Sequence, residues 1–206
     1  MNTQNYYEDL RRLARQVRAE NGLSSPRVLA SDLMRIYAKH GIVVDEWPHR
    51  FRHLRGAFIN DHLGTTVMLA KGLPQDPMVF TMAHELKHFF RDRDLGISYC
   101  DQSNLNKSIE VGAEIFAAEL LFPDHDFSAH MNTMGIRREQ CLPKTLIQLK
   151  RKTGTTLSYA GLAIKAERLG FAPAHSLTTI KTWRRLEAIY SAPLDRPGSR
   201  RSMQGQ

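Results

Sequence analysis

The segment Phe80-Thr81-Met82-Ala83-His84-Glu85-Leu86-Lys87-His88 carries two histidines four positions apart, with a glutamate directly after the first. Around it, Val79, Phe80, Met82, Ala83, Leu86, Phe89 and Phe90 recur with helical spacing and cover most of the circumference. This predicts a central helix over residues 78–91, not a peripheral one. On such a helix, imidazoles at i and i+4 project from one face, one turn apart, and can share a zinc ion at about 2.0–2.1 Å each. Glu85 lies about 100° further round, beside the metal, where its carboxylate can take a proton from an attacking water. Chance produces this five-residue pattern in roughly one chain in fifty of this composition. Its apolar setting strengthens the metal reading, because unpaired imidazoles are costly to bury.

The rest of the composition sets the bounds. The chain has 206 residues, 42% of them apolar and 24% charged, an ordinary globular balance and long enough for a real core. Cys100 and Cys141 form no C-x-x-C pair, so no thiolate zinc site or secreted disulfide framework is expected, and a reducing cytoplasm is the natural setting. No apolar run approaches the roughly 20 residues of a membrane span, and Met1 to Asn5 do not resemble an export signal. The formal net charge is +8, and from Lys181 onward six Lys/Arg stand against Glu187 and Asp195. That basic tail permits salt-sensitive association with nucleic acid or an acidic partner, or is simply solvated.

Before the central helix, Tyr6, Leu10, Leu13 and Val17 mark an opening helix ended by Asn21-Gly22. Ser25-Pro26 reads as the N-cap and first turn of a second helix, closed by Gly41. Three strands are expected at residues 42–44, 56–60 and 65–70, the last two joined through residues 61–64. Val67 and Leu69 alternate with Thr66, Met68 and Ala70, so the third strand is read as a half-buried edge able to hold a substrate backbone. Beyond a polar loop at residues 101–104, a helix is predicted over residues 107–121 and stopped by Pro123. Residues 143–171 suggest two helices about Gly154-Thr155-Thr156, followed by a helix near residues 177–190 and a Pro/Gly/Ser/Arg tail.

A catalytic zinc needs a third protein ligand and an open fourth position. The helix after the loop offers Glu110, Glu114 and Glu119. Glu110 and Glu114 share a face and flank Gly112 and Ala113, small residues that would let this helix approach the histidine helix closely. If Glu110 binds metal, Glu114 is placed to accept a hydrogen bond from a ligand imidazole. Glu119 reads as an ordinary surface carboxylate.

The segment from Phe80 to His88, followed by Glu110-Val111-Gly112-Ala113-Glu114-Ile115-Phe116-Ala117-Ala118-Glu119-Leu120-Leu121-Phe122-Pro123, resembles the ImmA/IrrE family of zinc metallopeptidases. That family shows F-T-x-A-H-E-x-x-H and then E-x-x-A-[ND]-x-F-A-x-x-L-L-x-P. The resemblance implies an α+β, predominantly helical, zincin-like metallopeptidase core with a small three-stranded sheet and a helical C-terminal extension. It implies His84, His88 and Glu110 as zinc ligands and Glu85 as the catalytic carboxylate. It also implies a cytoplasmic endopeptidase that cleaves a helix-turn-helix transcriptional repressor, governing a mobile element or a stress response. Two positions depart from the pattern. Glu114 stands where Asn or Asp is usual, and Lys87 stands where a small residue is common, either facing solvent or making the mouth of the site more basic.

The expected organisation is a peptidase core at residues 1–130, a helix-turn-helix-like region at 131–172 and a terminal helix with a basic flexible tail at 173–206. Oxyanion stabilisation calls for a further donor, for which His62, Tyr99 and His125 are the candidates. The helix pair is expected to dock the repressor through basic residues such as Lys150 and Arg151. Direct DNA binding is the less favoured role, since residues 157–169 present no run of Arg, Asn and Gln of the kind that base-edge readout favours. The alternative to an enzyme is a zinc-stabilised regulator that binds DNA or a repressor without cutting it.

Overall fold

A computed structural model describes residues 3–47, 55–95, 97–99 and 107–191. The expectations for Cys100, the loop at 101–104 and the tail beyond residue 191 lie outside them. Among the described residues the order is α1 (Thr3–Glu20), α2 (Ala30–Lys39), β1 (Val43–Glu46), β2 (Gly56–Asp61), β3 (Gly64–Leu69), α3 (Gln75–Arg91), β4 (Ile97–Tyr99), α4 (Lys107–Leu121), α5 (Asp124–Thr133), α6 (Pro143–Thr153), α7 (Tyr159–Arg168) and α8 (Trp183–Ser191). The protein is mostly helical, with one small mixed sheet. No helix among the described residues is long and apolar enough to cross a membrane.

The three expected strands form, and a short fourth joins them in the order β1-β3-β2-β4. β3 is parallel to β1 and antiparallel to β2, so it lies inside the sheet. This corrects the reading of residues 65–70 as an edge. Alternation reports that one face of a strand is buried, and says nothing about how many neighbours pair with its backbone. Among the described residues the edges are β1 and β4, of which β4 pairs directly with β2, Ala57 opposite Tyr99.

Several helix boundaries also differ. Helix α2 begins at Ala30, with the Asp32 carboxylate accepting the Leu29 N–H at 2.8 Å, while the Ser25 hydroxyl accepts the Arg27 amide in the preceding turn. Helix α5, not anticipated, starts directly after Pro123: Asp124 and Asp126 favour its positive N-terminus, and Phe127 and Met131 bury one turn apart. Helix α8 begins six residues late because the Glu167 carboxylate captures the amides of His175, Leu177 and Thr178. Burial alone would raise the Glu167 carboxyl, but those amides outweigh it and hold it below its ordinary value.

Two apolar clusters form the interior. The first packs α1, α2 and the sheet around α3 and α4 through residues such as Leu10, Tyr37, Phe58, Leu86 and Phe116. Tyr37 donates its hydroxyl to the Met82 carbonyl at 2.6 Å, pinning α2 to α3. The buried Arg18 donates to the Leu120 carbonyl, closing the C-terminus of α4. Gly112 faces α1, where a Cβ would stand 2.7 Å from Leu10, so its smallness serves the contact with α1 and not the approach to α3. The second cluster gathers Phe122, Phe127, Leu146, Leu162 and Trp183 from α4's end through α8. Phe80 packs against both.

Candidate metal centre

Helix α3 is buried on every side from Thr81 to Phe89, which forces its polar residues to find partners inside. The rings of His84 and His88 lie 5.1 Å apart on one face. Glu110, in the first turns of α4, comes to meet them: its Oε2 is 3.1 Å from His84 Nε2, and its Oε1 is 3.7 Å from His88 Nε2. Each separation, one to each carboxylate oxygen, is of the order of the ~3.3 Å between neighbouring ligand atoms of a tetrahedral site with ~2.05 Å bonds. One ligand atom from each residue falls within 4.8 Å of the others. His88 is fully buried, and its Nε2 has no hydrogen-bond partner among the described residues. A buried, unsatisfied nitrogen aimed at a carboxylate and a second imidazole is what a metal would repair. A His-His-Glu donor set suits a divalent metal with an open fourth position.

The other nitrogen of His88 explains the tautomer. Nδ1 donates to Asp92 Oδ2 at 2.7 Å, which leaves the Nε2 lone pair for the metal. Burial alone would raise the Asp92 carboxyl, but the hydrogen bonds from His88 and Lys87 outweigh it and hold it below its ordinary range. Asp92 was missed in the sequence, although a carboxylate at i+4 from a ligand histidine was a readable signal. It takes the part expected of Glu114, which is exposed and hydrogen-bonds neither histidine among the described residues. Glu114 fails because it projects from the solvent side of α4, whereas Asp92 closes the same turn as His88.

Lys87 neither faces solvent nor lines the mouth. It is fully buried, its ammonium 2.6 Å from Asp92 Oδ2 and 3.0 Å from the Ile109 carbonyl, one residue before Glu110. Glu119 is likewise no surface carboxylate. It is 1% exposed and binds Arg15 at 2.8 Å, Lys165 at 3.3 Å and the Asp124 amide at 3.1 Å.

Glu85 is fully buried on the same turn as His84. Gly56, at the start of β2, makes room for it: a Cβ there would stand 2.6 Å from Glu85 Oε1 and 2.5 Å from Thr81 Cγ2. Of the oxyanion candidates, His62 sits exposed in the turn between β2 and β3, past the far end of a strand that runs about 17 Å from Gly56 to Asp61 at ~3.4 Å per residue. His125 is exposed on α5 and pairs with Asp126 at 3.1 Å. Neither is brought to the metal centre. The backbone of Tyr99 lies opposite Ala57, beside Gly56, while its side chain lies outside the described residues.

The chain matches the peptidase M78 family, described as the IrrE N-terminal-like domain, over residues 38–165. It belongs to the M78 peptidases. The matched span takes in α3, α4 and most of the helix pair, so both the His-Glu-x-x-His turn and Glu110 fall inside it. This M78 protein is accordingly a metallopeptidase with a His-His-Glu site. No curated protein matches the chain.

Proposed function

We propose that this M78 metallopeptidase is a zinc-dependent endopeptidase of the cytoplasm whose substrate is a helix-turn-helix repressor, so that cutting relieves repression of a mobile element or a stress response. The observation that carries the peptidase chemistry is the orphaned His88 Nε2 converging with His84 and Glu110 beside a buried glutamate. Zinc on these three residues would supply Lewis acidity to the scissile carbonyl and lower the pKa of water to about 7. Glu85 accepts the proton of the attacking water and returns it to the leaving amine as the C–N bond breaks. Asp92 keeps His88 in its Nδ1–H tautomer throughout. Strand β4, next to the β2 strand that carries Gly56, is the edge suited to an extended substrate backbone.

The test pairs metal analysis with cleavage of a helix-turn-helix protein encoded beside this one. Wild type should bind one zinc and cut the repressor, and Glu85→Gln should keep the metal and lose cutting. Tight repressor binding without cleavage would favour the non-enzymatic regulator instead.

A further inference from the structure

Helix α7 is the second member of the helix pair, the position whose outward face enters the major groove in DNA-reading pairs. Here that face is Ala160, Gly161, Ile164 and Arg168, and it stands opposite α4 across an open groove of about 450 Å³. Val111, Ile115 and Ala118 form the facing wall, and Phe80 lies between. Ile164 is 57% exposed and Val111 41%, so two apolar side chains meet water on opposite sides of one cleft. Beneath them Lys165 is buried against Glu119 and Asp124, an internal ionic tie that holds α7 at this distance from α4.

The groove adjoins the metal centre through chain neighbours of the site residues, although His84, Glu85, His88 and Glu110 do not themselves line it. Phe80 is one turn before His84, Val111 follows Glu110, and Arg55 precedes Gly56, which touches Glu85. At this end Arg55 and Glu114 are exposed, and neither side chain has an ion pair among the described residues. The cleft therefore offers an apolar trough with one charge of each sign at the catalytic end. Its volume exceeds what one side chain fills. A polypeptide entering the site in extended form would lay two or three apolar side chains along it.

We infer that this groove is a substrate subsite, formed jointly by the peptidase core and α7, that selects a short apolar run flanking the scissile bond. The inference rests on the peptidase reading of the metal centre. It gives the helix pair a role in choosing where a protein is cut, through the apolar face of α7 and not through its basic residues.

The test uses the full chain as zinc-loaded Glu85→Gln, probed with an array of random 12-residue peptides. Ile164→Glu and Ala160→Trp are added separately, both at exposed positions, with zinc uptake and Tm measured alongside. Retained peptides should carry two or more apolar residues in a run. Each added substitution should lower retention at least tenfold while zinc uptake and Tm hold. Retention indifferent to both substitutions, or peptides without apolar enrichment, would overturn the assignment, as would a small apolar molecule occupying the groove while peptides are ignored. Cleavage by the Glu85-containing protein separates the two readings. Peptides held through Ile164 and never cut would remove the peptidase reading and leave the groove as a peptide site. Peptides cut at unchanged positions and rates by Ile164→Glu would do the reverse.

Discussion

The Lys87 ammonium and the Asp92 carboxylate meet at 2.6 Å inside the protein, directly behind the ligand imidazole of His88. Lys87 also holds the Ile109 carbonyl, so one side chain joins the helix of the histidines to the backbone beside Glu110. Removing the cation strands a buried carboxylate. Lys87→Met should cost about 3–5 kcal/mol, read by urea denaturation of the metal-free protein. Combining it with Asp92→Asn should recover part of that loss, because no unpaired charge remains.

Asp92→Asn alone keeps a similar shape but removes the negative charge behind His88. Zinc affinity should fall about 10- to 100-fold, measured by competition with a chelator of known affinity. An unchanged affinity would show that the tautomer of His88 is fixed by something else.

Gly56→Ala should separate metal binding from chemistry. The added methyl would stand 2.6 Å from Glu85 Oε1, so Glu85 must shift, while the ligands His84, His88 and Glu110 lie on other elements. Zinc content should stay stoichiometric while kcat falls by about 10²-fold, the scale of a misplacement near 1 Å.

Acid should loosen the tie between α5 and α7. Burial alone would raise the Asp124 carboxyl, but the Lys165 ammonium and Arg168 outweigh it and hold it well below its ordinary range. Because the folded value lies under the unfolded value of about 3.9, this stabilisation is complete above roughly pH 4 and is lost as pH falls further. Asp124→Asn should be less stable at pH 7 and show a shallower decline below pH 4 in a series of denaturation curves.

Lys150 was expected to dock a partner, but its ammonium is occupied by Asp76 at 2.8 Å and by the carbonyls of Thr155 and Leu157 at 2.7 and 2.9 Å. Lys150→Glu would set two carboxylates and two carbonyls together. Stability should drop by about 3 kcal/mol. Arg151→Glu, on the exposed side of α6, should stay within about 0.5 kcal/mol, and a thermal melt distinguishes them.

The metal-bearing turn was legible because helical spacing alone places His84 and His88 on one face, and the apolar residues around them announce a central helix. The extent of α4 was equally readable, from its apolar positions and the stop at Pro123. What escaped was pairing at long range. Glu119 and Lys165 carry charges that sequence patterning assigns to the surface, and each is buried because a partner distant in the chain arrives beside it, while Lys87, paired locally with Asp92, is buried where the Ile109 carbonyl of α4 meets it. The order of the strands escaped for the same reason, since a period of two fixes a face and leaves the neighbours open. Gly56 offered no signal of its own, as its value depends on Glu85, which reaches it from another element.

Phe80 touches both apolar clusters, and so the helix that holds the metal is a wall common to the two halves of the molecule. A gene fragment that kept every motif residue but stopped after α5 would strip the α6, α7 and α8 residues from the second cluster, leaving Phe122 covered only in part by Phe127 and the far side of Phe80 opened to water. Such a fragment would inherit the signature and not the enzyme. Duplication or fusion events that transplant this activity must therefore carry α6 and α7 along with the motif.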